Sequence, residues 1–242
     1  MKPFIADVHM HSIVSGHAFG TIRELAAAAA EQGLQLIGVT EHAPGIPGTV
    51  DPIYFRNLVD APRMLYGVEM LYGSEVNILS GGGLTLDRRH LDSLDYAVAG
   101  IHGFCYEDEG RVKNTDNVIA CMRDPKVRFI SHPDSDRYPM DYRALVEGAK
   151  AYSVALEVNN SSLRFPSARP GCVENYRTMI PLCMEMGVPI VVNTDAHDPS
   201  NVGIFTDARE MLASLEVNED LILNNDAGKL KAFLLGEKGS IE

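Results

Sequence analysis

The sequence predicts an α/β protein of the closed or nearly closed β/α-barrel class, on three observations. Short apolar runs alternate with helical patterns from one end of the chain to the other. The runs are apolar along their whole length, the pattern of strands buried on both faces in a parallel sheet wrapped by helices. The length, 242 residues, fits one barrel of about 250.

The elements follow in order. Phe4–Val8 is a short first strand. Thr21-Ile22-Arg23-Glu24 fits a capping box, with the hydroxyl as N-cap and the glutamate three residues on. It opens an alanine-rich helix, and Gly33 falls where a C′ glycine belongs. Leu36–Thr40, Leu71–Ile78, Tyr96–Ile101 and Val127–Ser131 are the second to fifth strands, and Val154–Asn159 and Pro189–Asn193 the sixth and seventh. Helical patterns fall at Asn117–Arg123, Tyr142–Tyr152 and Glu174–Gly187, and Thr206–Leu215 and Ala227–Leu235 close the chain. The Pro- and Gly-rich stretch Ala43–Asp60 reads as a loop over the barrel mouth, and Gly81-Gly82-Gly83 before Leu84-Thr85-Leu86 as a small hairpin excursion. With no internal repeat, low-complexity segment or linker composition, residues 1–242 form one domain.

Composition narrows the function. The apolar share, 45%, is ordinary for a sizeable core, and the net charge of −12 argues against general affinity for nucleic acid or anionic membrane. No window approaches the ~18 apolar residues of a membrane span, and the N-terminus has no signal-peptide core. Cys105, Cys121, Cys172 and Cys183 lack C-x-x-C spacing and read as reduced thiols of a cytoplasmic protein. An outer-helix patch for a homo-oligomer would look like any amphipathic face.

The chemistry lies in the histidines. Seven of the eight sit just past the end of an apolar run: His9 and His11 after the first strand, then His17, His42 after the second, His102 after the fourth, His132 after the fifth and His197 after the seventh. Glu75 and Asp195 join them. Imidazole and carboxylate hold zinc, manganese or iron, and nine such groups are too many for one ion. The mouth of a β/α barrel is built from residues just after each strand. His9 and His11, two apart on extended chain, point the same way, and Asp195 and His197 share that spacing. First and last strands are neighbours in a barrel, so the pairs would face each other across the seam. A lone H-x-H is weak, but Glu75 inside an apolar strand needs a cation or a proton. Asp7 and Glu41 either orient an imidazole or stand as solvated loop carboxylates. His90 reads as an ordinary surface residue.

These residues resemble the PHP (polymerase and histidinol phosphatase) superfamily. Its marks are an H-x-H after the first strand, an acid-His pair, a strand glutamate, an I-S-H-P histidine and a closing D-x-H, present in order from Asp7 to His197. The likeness is strongest to the YcdX-type metal-dependent phosphatases, through Gly73-Ser74-Glu75-Val76-Asn77, Ile130-Ser131-His132-Pro133, Leu156-Glu157-Val158-Asn159-Asn160 and Asn193-Thr194-Asp195-Ala196-His197. The resemblance implies a distorted (β/α)7 TIM-like barrel with a trinuclear metal site at the C-terminal mouth. It implies a first ion on His9, His11, Glu75 and Asp195, a second on Glu75, His102 and His132, and a third on His17, His42 and His197. Glu41 departs from the aspartate common at that place. The three divalent ions are read as zinc on affinity order, with manganese and iron as alternatives.

The implied reaction is hydrolysis of a small phosphate monoester by metal-activated water, with Glu75, Asp195 and Arg169 as catalytic residues. Arg169 is the first choice for the phosphate, with Arg164 and Arg137 as the other candidates. The rival readings are a histidinol-phosphate phosphatase, a PHP-type 3′–5′ DNA exonuclease and a non-catalytic metal-binding barrel. The acidic charge and the absence of basic or aromatic stretches weigh against strong nucleic-acid binding.

Overall fold

The computed structural model describes residues 1–238. The strands are β1 (Ala6–Asp7), β2 (Leu36–His42), β3 (Met64–Leu65), β4 (Val68–Asn77), β5 (Tyr96–Gly100), β6 (Val127–Ile130), β7 (Ala155–Asn159) and β8 (Ile190–Asn193). The helices are α1 (Ile22–Glu31), α2 (Ile53–Asn57), α3 (Arg88–Leu91), α4 (Arg111–Cys121), α5 (Tyr142–Ala151), α6 (Asn160–Arg164), α7 (Cys172–Met186), α8 (Thr206–Ser214) and α9 (Ala227–Leu235).

Seven strands pair in parallel in the order β1-β2-β4-β5-β6-β7-β8, and β3 adds to β4 antiparallel. The seam between first and last strands is closed by other means than a full ladder. Near the mouth, Met10 and Ala196 form a single parallel bridge, with the amide of Asp195 donating to His9 O at 2.9 Å. Lower down, the Asn224 side chain stands in for a strand. Its Oδ1 accepts from Val192 N at 2.7 Å, and its Nδ2 donates to Ala6 O and Val192 O. The result is the nearly closed, distorted barrel expected.

Period-two alternation sets what faces the lumen. Ala6, Val8, Leu36, Leu71, Tyr96, Phe129, Ala155 and Val191 pack there as a separate apolar cluster, plugged from below by Leu230, Phe233 and Leu234 of α9. Gly38 makes room: a Cβ there would lie 1.9 Å from the Tyr96 hydroxyl, which donates to Val8 O at 2.7 Å. Further along the same strand faces the lumen turns polar, with Glu75, Ser131, Glu157 and Asn193 all buried. An apolar plug thus supports a polar mouth. The strand residues that point outward, such as Ile37, Val39 and Met70, join the larger core beneath the helices.

The capping box at Thr21 forms: Glu24 Oε2 accepts from Thr21 N at 2.7 Å while Thr21 Oγ1 accepts from Glu24 N at 3.3 Å. Gly33 ends α1 at φ +73°, the left-handed position a C′ glycine fills without strain. The Gly81 excursion forms as one antiparallel bridge, Ile78 to Leu84. Three expectations shift, and the short α6 is an addition to them. The loop Ala43–Asp60 contains α2. Helix α4 starts at Arg111, not Asn117, because Asn114 and Asn117 spend their side chains on Tyr106, Asp108 and Glu109 and pin the polar first turns. The short α6 follows β7 directly, capped by Asn159. His90 is not a free surface residue: it is 8% exposed, and its Nδ1 lies 2.5 Å from the Asp87 carboxylate that caps α3.

Candidate metal centre

At the mouth, the parity that places Glu75 in the lumen brings its carboxylate among five imidazoles. Oε1 lies 2.8 Å from His132 Nε2 and 3.3 Å from His102 Nε2. Oε2 lies 3.0 Å from His42 Nδ1, 3.4 Å from His9 Nε2 and 3.5 Å from His11 Nε2. Across the seam, Asp195 Oδ1 is 3.2 Å from His11 Nε2 and 3.6 Å from His9 Nε2. His17 Nε2 approaches His197 Nε2 at 3.1 Å. All nine expected groups therefore converge.

Five of these atoms are buried and lack any hydrogen-bond partner: His9 Nε2, His11 Nε2, His42 Nδ1, Glu75 Oε2 and Asp195 Oδ1. An orphaned buried polar atom is costly, and several at one point are the mark of a cation site. Three clusters bring their ligand atoms close enough for an ion: His9, His11 and Asp195; His11, His42 and His197; and His42, Glu75 and His102. The donor set fits a borderline divalent metal.

A ring of acceptors turns the imidazoles inward. His9 Nδ1 is 2.8 Å from Glu157 Oε1, His102 Nδ1 is 2.8 Å from Asn77 Oδ1, and His197 Nδ1 is 3.0 Å from Asp195 O. His11 Nδ1 is 3.1 Å from Ser15 Oγ. With Nδ1 turned to these acceptors, each Nε2 faces the centre. His42 is the exception, presenting Nδ1. His132 (φ +30°) and Asp195 (φ +52°) hold left-handed backbone, a strain that clusters at functional sites.

Charge follows position. Burial would raise Glu75, but His102, His9, His132 and His42 overcome it and hold the carboxyl well below its usual range. Asp195 is likewise depressed, against burial, by His9, His11 and His197. Burial would lower His9, but Glu157, Asp195 and Glu75 raise it well above its usual value. His11 is depressed by burial and by His42 and His197. Both acids are thus anionic at neutral pH, as metal ligands must be.

The PHP domain family model matches residues 7–160. The chain belongs to the PHP family. It is 41% identical over 239 residues to a probable phosphatase of Thermoanaerobacter sp. (strain X514), covering 98% of this chain and 97% of that protein. It is 37% identical over 232 residues to a probable phosphatase of Clostridium novyi (strain NT), covering 96% and 94%. The fold is that of the histidinol phosphate phosphatase of Lactococcus lactis, solved with zinc, L-histidinol and phosphate: TM-score 0.58, 17% identity, 89% of this chain and 95% of that one. A chain of an archaeal ribonuclease P solved with mature tRNA has the same fold, at TM-score 0.58 and 14% identity, with 95% and 89% covered.

In this PHP domain the three candidate arginines part company. Arg169 and Arg137 line a cleft of about 420 Å³ together with His17, His42 and His102. Arg169 Nη1 donates to His132 O at 3.4 Å and lies 3.5 Å from Asp134 Oδ1. Burial would depress its pKa, but Asp134 and Asp195 more than restore it, so it stays charged. Arg164 stands on the other side, in a cleft of about 210 Å³ with Asp195 and His197, and donates to Asn201 Oδ1 at 2.6 Å.

Asp7 and Glu41 are both fully buried, which rules out solvated loop carboxylates. Glu41 accepts from Ser12 N and from the hydroxyls of Ser12 and Ser15. Ser15 Oγ in turn holds His11 Nδ1 and accepts from His42 N, so through one serine Glu41 orients the His11 imidazole and anchors the His42 backbone. Asp7 touches no imidazole. It accepts from Thr194 N and Oγ1 and from Gly203 N, pinning the turn that carries Asp195, and burial pushes it up to about 6 against their lowering effect. Sequence reasoning assigned no role to Glu157. It accepts from His132 N, Asn159 Nδ2 and Asn193 Nδ2 besides meeting His9. Its signal was the one that singled out Glu75: an acid at a lumen-facing position of an apolar strand.

Proposed function

We propose that this PHP protein is a metal-dependent phosphatase that hydrolyses small phosphate monoesters. The observation that carries the reading is the convergence of five orphaned buried ligand atoms beside an arginine-lined cleft. Relatives named probable phosphatases over nearly the whole chain support it. His9, His11, Glu75 and Asp195 would hold one ion, Glu75, His102 and His132 a second, and His17, His42 and His197 a third, with zinc the expected metal. Bound ions would offset phosphoryl charge and acidify a coordinated water enough to act as nucleophile near neutral pH.

The chain's own residues do the rest. Glu75 and Asp195, held anionic, neutralise cations without taking up protons. Glu157, Asn77 and Ser15 fix the imidazole tautomers. Arg169, which lines the cleft, would pair with a phosphoryl oxygen as a fixed cation. The net charge of −12 favours a compact dianionic ester at the metal pocket over a long polyanion. The four unpaired cysteines, three of them buried, fit a reducing cytoplasm.

The test pairs metal analysis of protein purified without added metal with turnover of p-nitrophenyl phosphate, its bis-ester and single-stranded DNA. The expected result is about three divalent ions per chain, monoester hydrolysis with a neutral-to-alkaline optimum, and little action on the others. Fewer than about one ion with no activity regained on adding zinc or manganese, or faster turnover of DNA, would overturn the reading.

A further inference from the structure

We propose that the N-terminal end of the barrel carries a second ligand site, remote from the metals, which takes a small amphipathic carboxylate. The cleft there measures about 890 Å³ and lies between the end of α5, the segment leading into β8, and α9. That is within the range of small-molecule sites.

The carrying observation is Arg128 on its lining. The β5–β6 ladder jumps from Ala97–Val127 to Val98–Phe129, so Arg128 is the extra residue of a bulge. Bulges re-aim side chains and recur beside functional sites. The residue is 2% exposed. Its Nη2 donates to Phe233 O, and its guanidinium carbon sits 4.9 Å from the Phe233 ring centroid. Nε and Nη1 are buried without a hydrogen-bond partner, and no carboxylate among the described residues pairs with it. A buried charge without a counter-ion is costly.

The surroundings match an anion with an apolar body. Lys150 and Lys229 stand at the cleft, and Asp220, the acid beside them, has Lys2 Nζ 3.9 Å away. Lys238, near Arg128, is pushed down to about 8 by burial and by that guanidinium, consistent with positive charge left unmet. Val188, Pro189, Leu223 and Leu235 supply hydrocarbon walls. One buried guanidinium suits one carboxylate head, and the walls suit a short alkyl tail.

Calorimetric titration of the metal-loaded full chain with octanoate tests this. One saturable site is expected, weakened about ten- to hundredfold in Arg128→Met, while p-nitrophenyl phosphate turnover is unaffected by the ligand. Ala232→Trp, which fills the cleft from the exposed side of α9, is expected to weaken binding equally. It keeps the test decisive if Arg128→Met does not fold. Absence of binding at about 1 mM, unchanged affinity in Ala232→Trp, octanol binding as tightly as octanoate, or competitive inhibition of hydrolysis would each overturn the proposal. Calorimetry reads this site whether or not the protein proves to be a phosphatase.

Discussion

Glu157 Oε1 lies 2.8 Å from His9 Nδ1, both groups fully buried, and the same carboxylate accepts from the amide of His132 at 2.8 Å. One acid on β7 thus holds the ring of a histidine that follows β1, setting the side of it that meets the centre, and the backbone of another histidine that follows β6.

Glu157→Gln is expected to lower metal affinity about 10–100-fold, because an amide donor would meet donors from His132 N and Asn193 Nδ2. Competition with a graded chelator measures it. Unchanged affinity would make Glu157 a packing residue only.

Glu75→Gln is expected to abolish activity more completely than His17→Ala. Glu75 is fully buried and meets five imidazoles, while His17 is exposed and approaches the centre at its rim. Water can replace an exposed ligand but not a buried charge. Glu75→Gln retaining activity within about tenfold, with its metals in place, would remove it from the bridge.

Arg169→Lys is expected to lower kcat/KM for p-nitrophenyl phosphate by about 10²-fold, with metal content unchanged. Arg164→Lys, on the far cleft, should cost less than about tenfold. The reverse order would move phosphate recognition to the Asp195–His197 side.

Lys238 provides a pH test away from the metals. Its Nζ donates to Met122 O and, at 2.6 Å, to Asp124 O beyond the end of α4, while burial and Arg128 bring it down to about 8. A depressed folded-state pKa on a lysine means the unfolded chain binds more protons between about 8 and 10.4, so stability rises with pH across that window. The melting temperature of wild type relative to Lys238→Met is therefore expected to climb from pH 7 to pH 9.5. A flat difference would mean that the ammonium is well solvated.

Much of this was legible in the chain because it is local. A histidine two residues from another on extended backbone, or just after an apolar strand, has its place set by period two and by the strand's end. So His9, His11, Asp195 and His197 meet across the seam as their spacing required, and the capping box of α1 forms as written. The boundaries that moved, such as the start of α4, depend on side chains that reach distant partners. Asn114 reaches Pro139 O, a contact 25 residues away that no periodicity encodes.

By itself, then, the sequence determined seven parallel strands, the common direction of His9 with His11 and of Asp195 with His197, and the nine groups gathered at the mouth. Only the closed sheet decided which acid answers which imidazole, that His42 presents Nδ1 while its neighbours present Nε2, and that Asn224 completes the seam in place of a strand. It also decided that a bulge leaves Arg128 buried with no carboxylate among the described residues paired to it. The physical reason is that spacing along a strand fixes a direction, whereas hydrogen-bond partnership needs a distance, and the distances across a barrel exist only once it has closed.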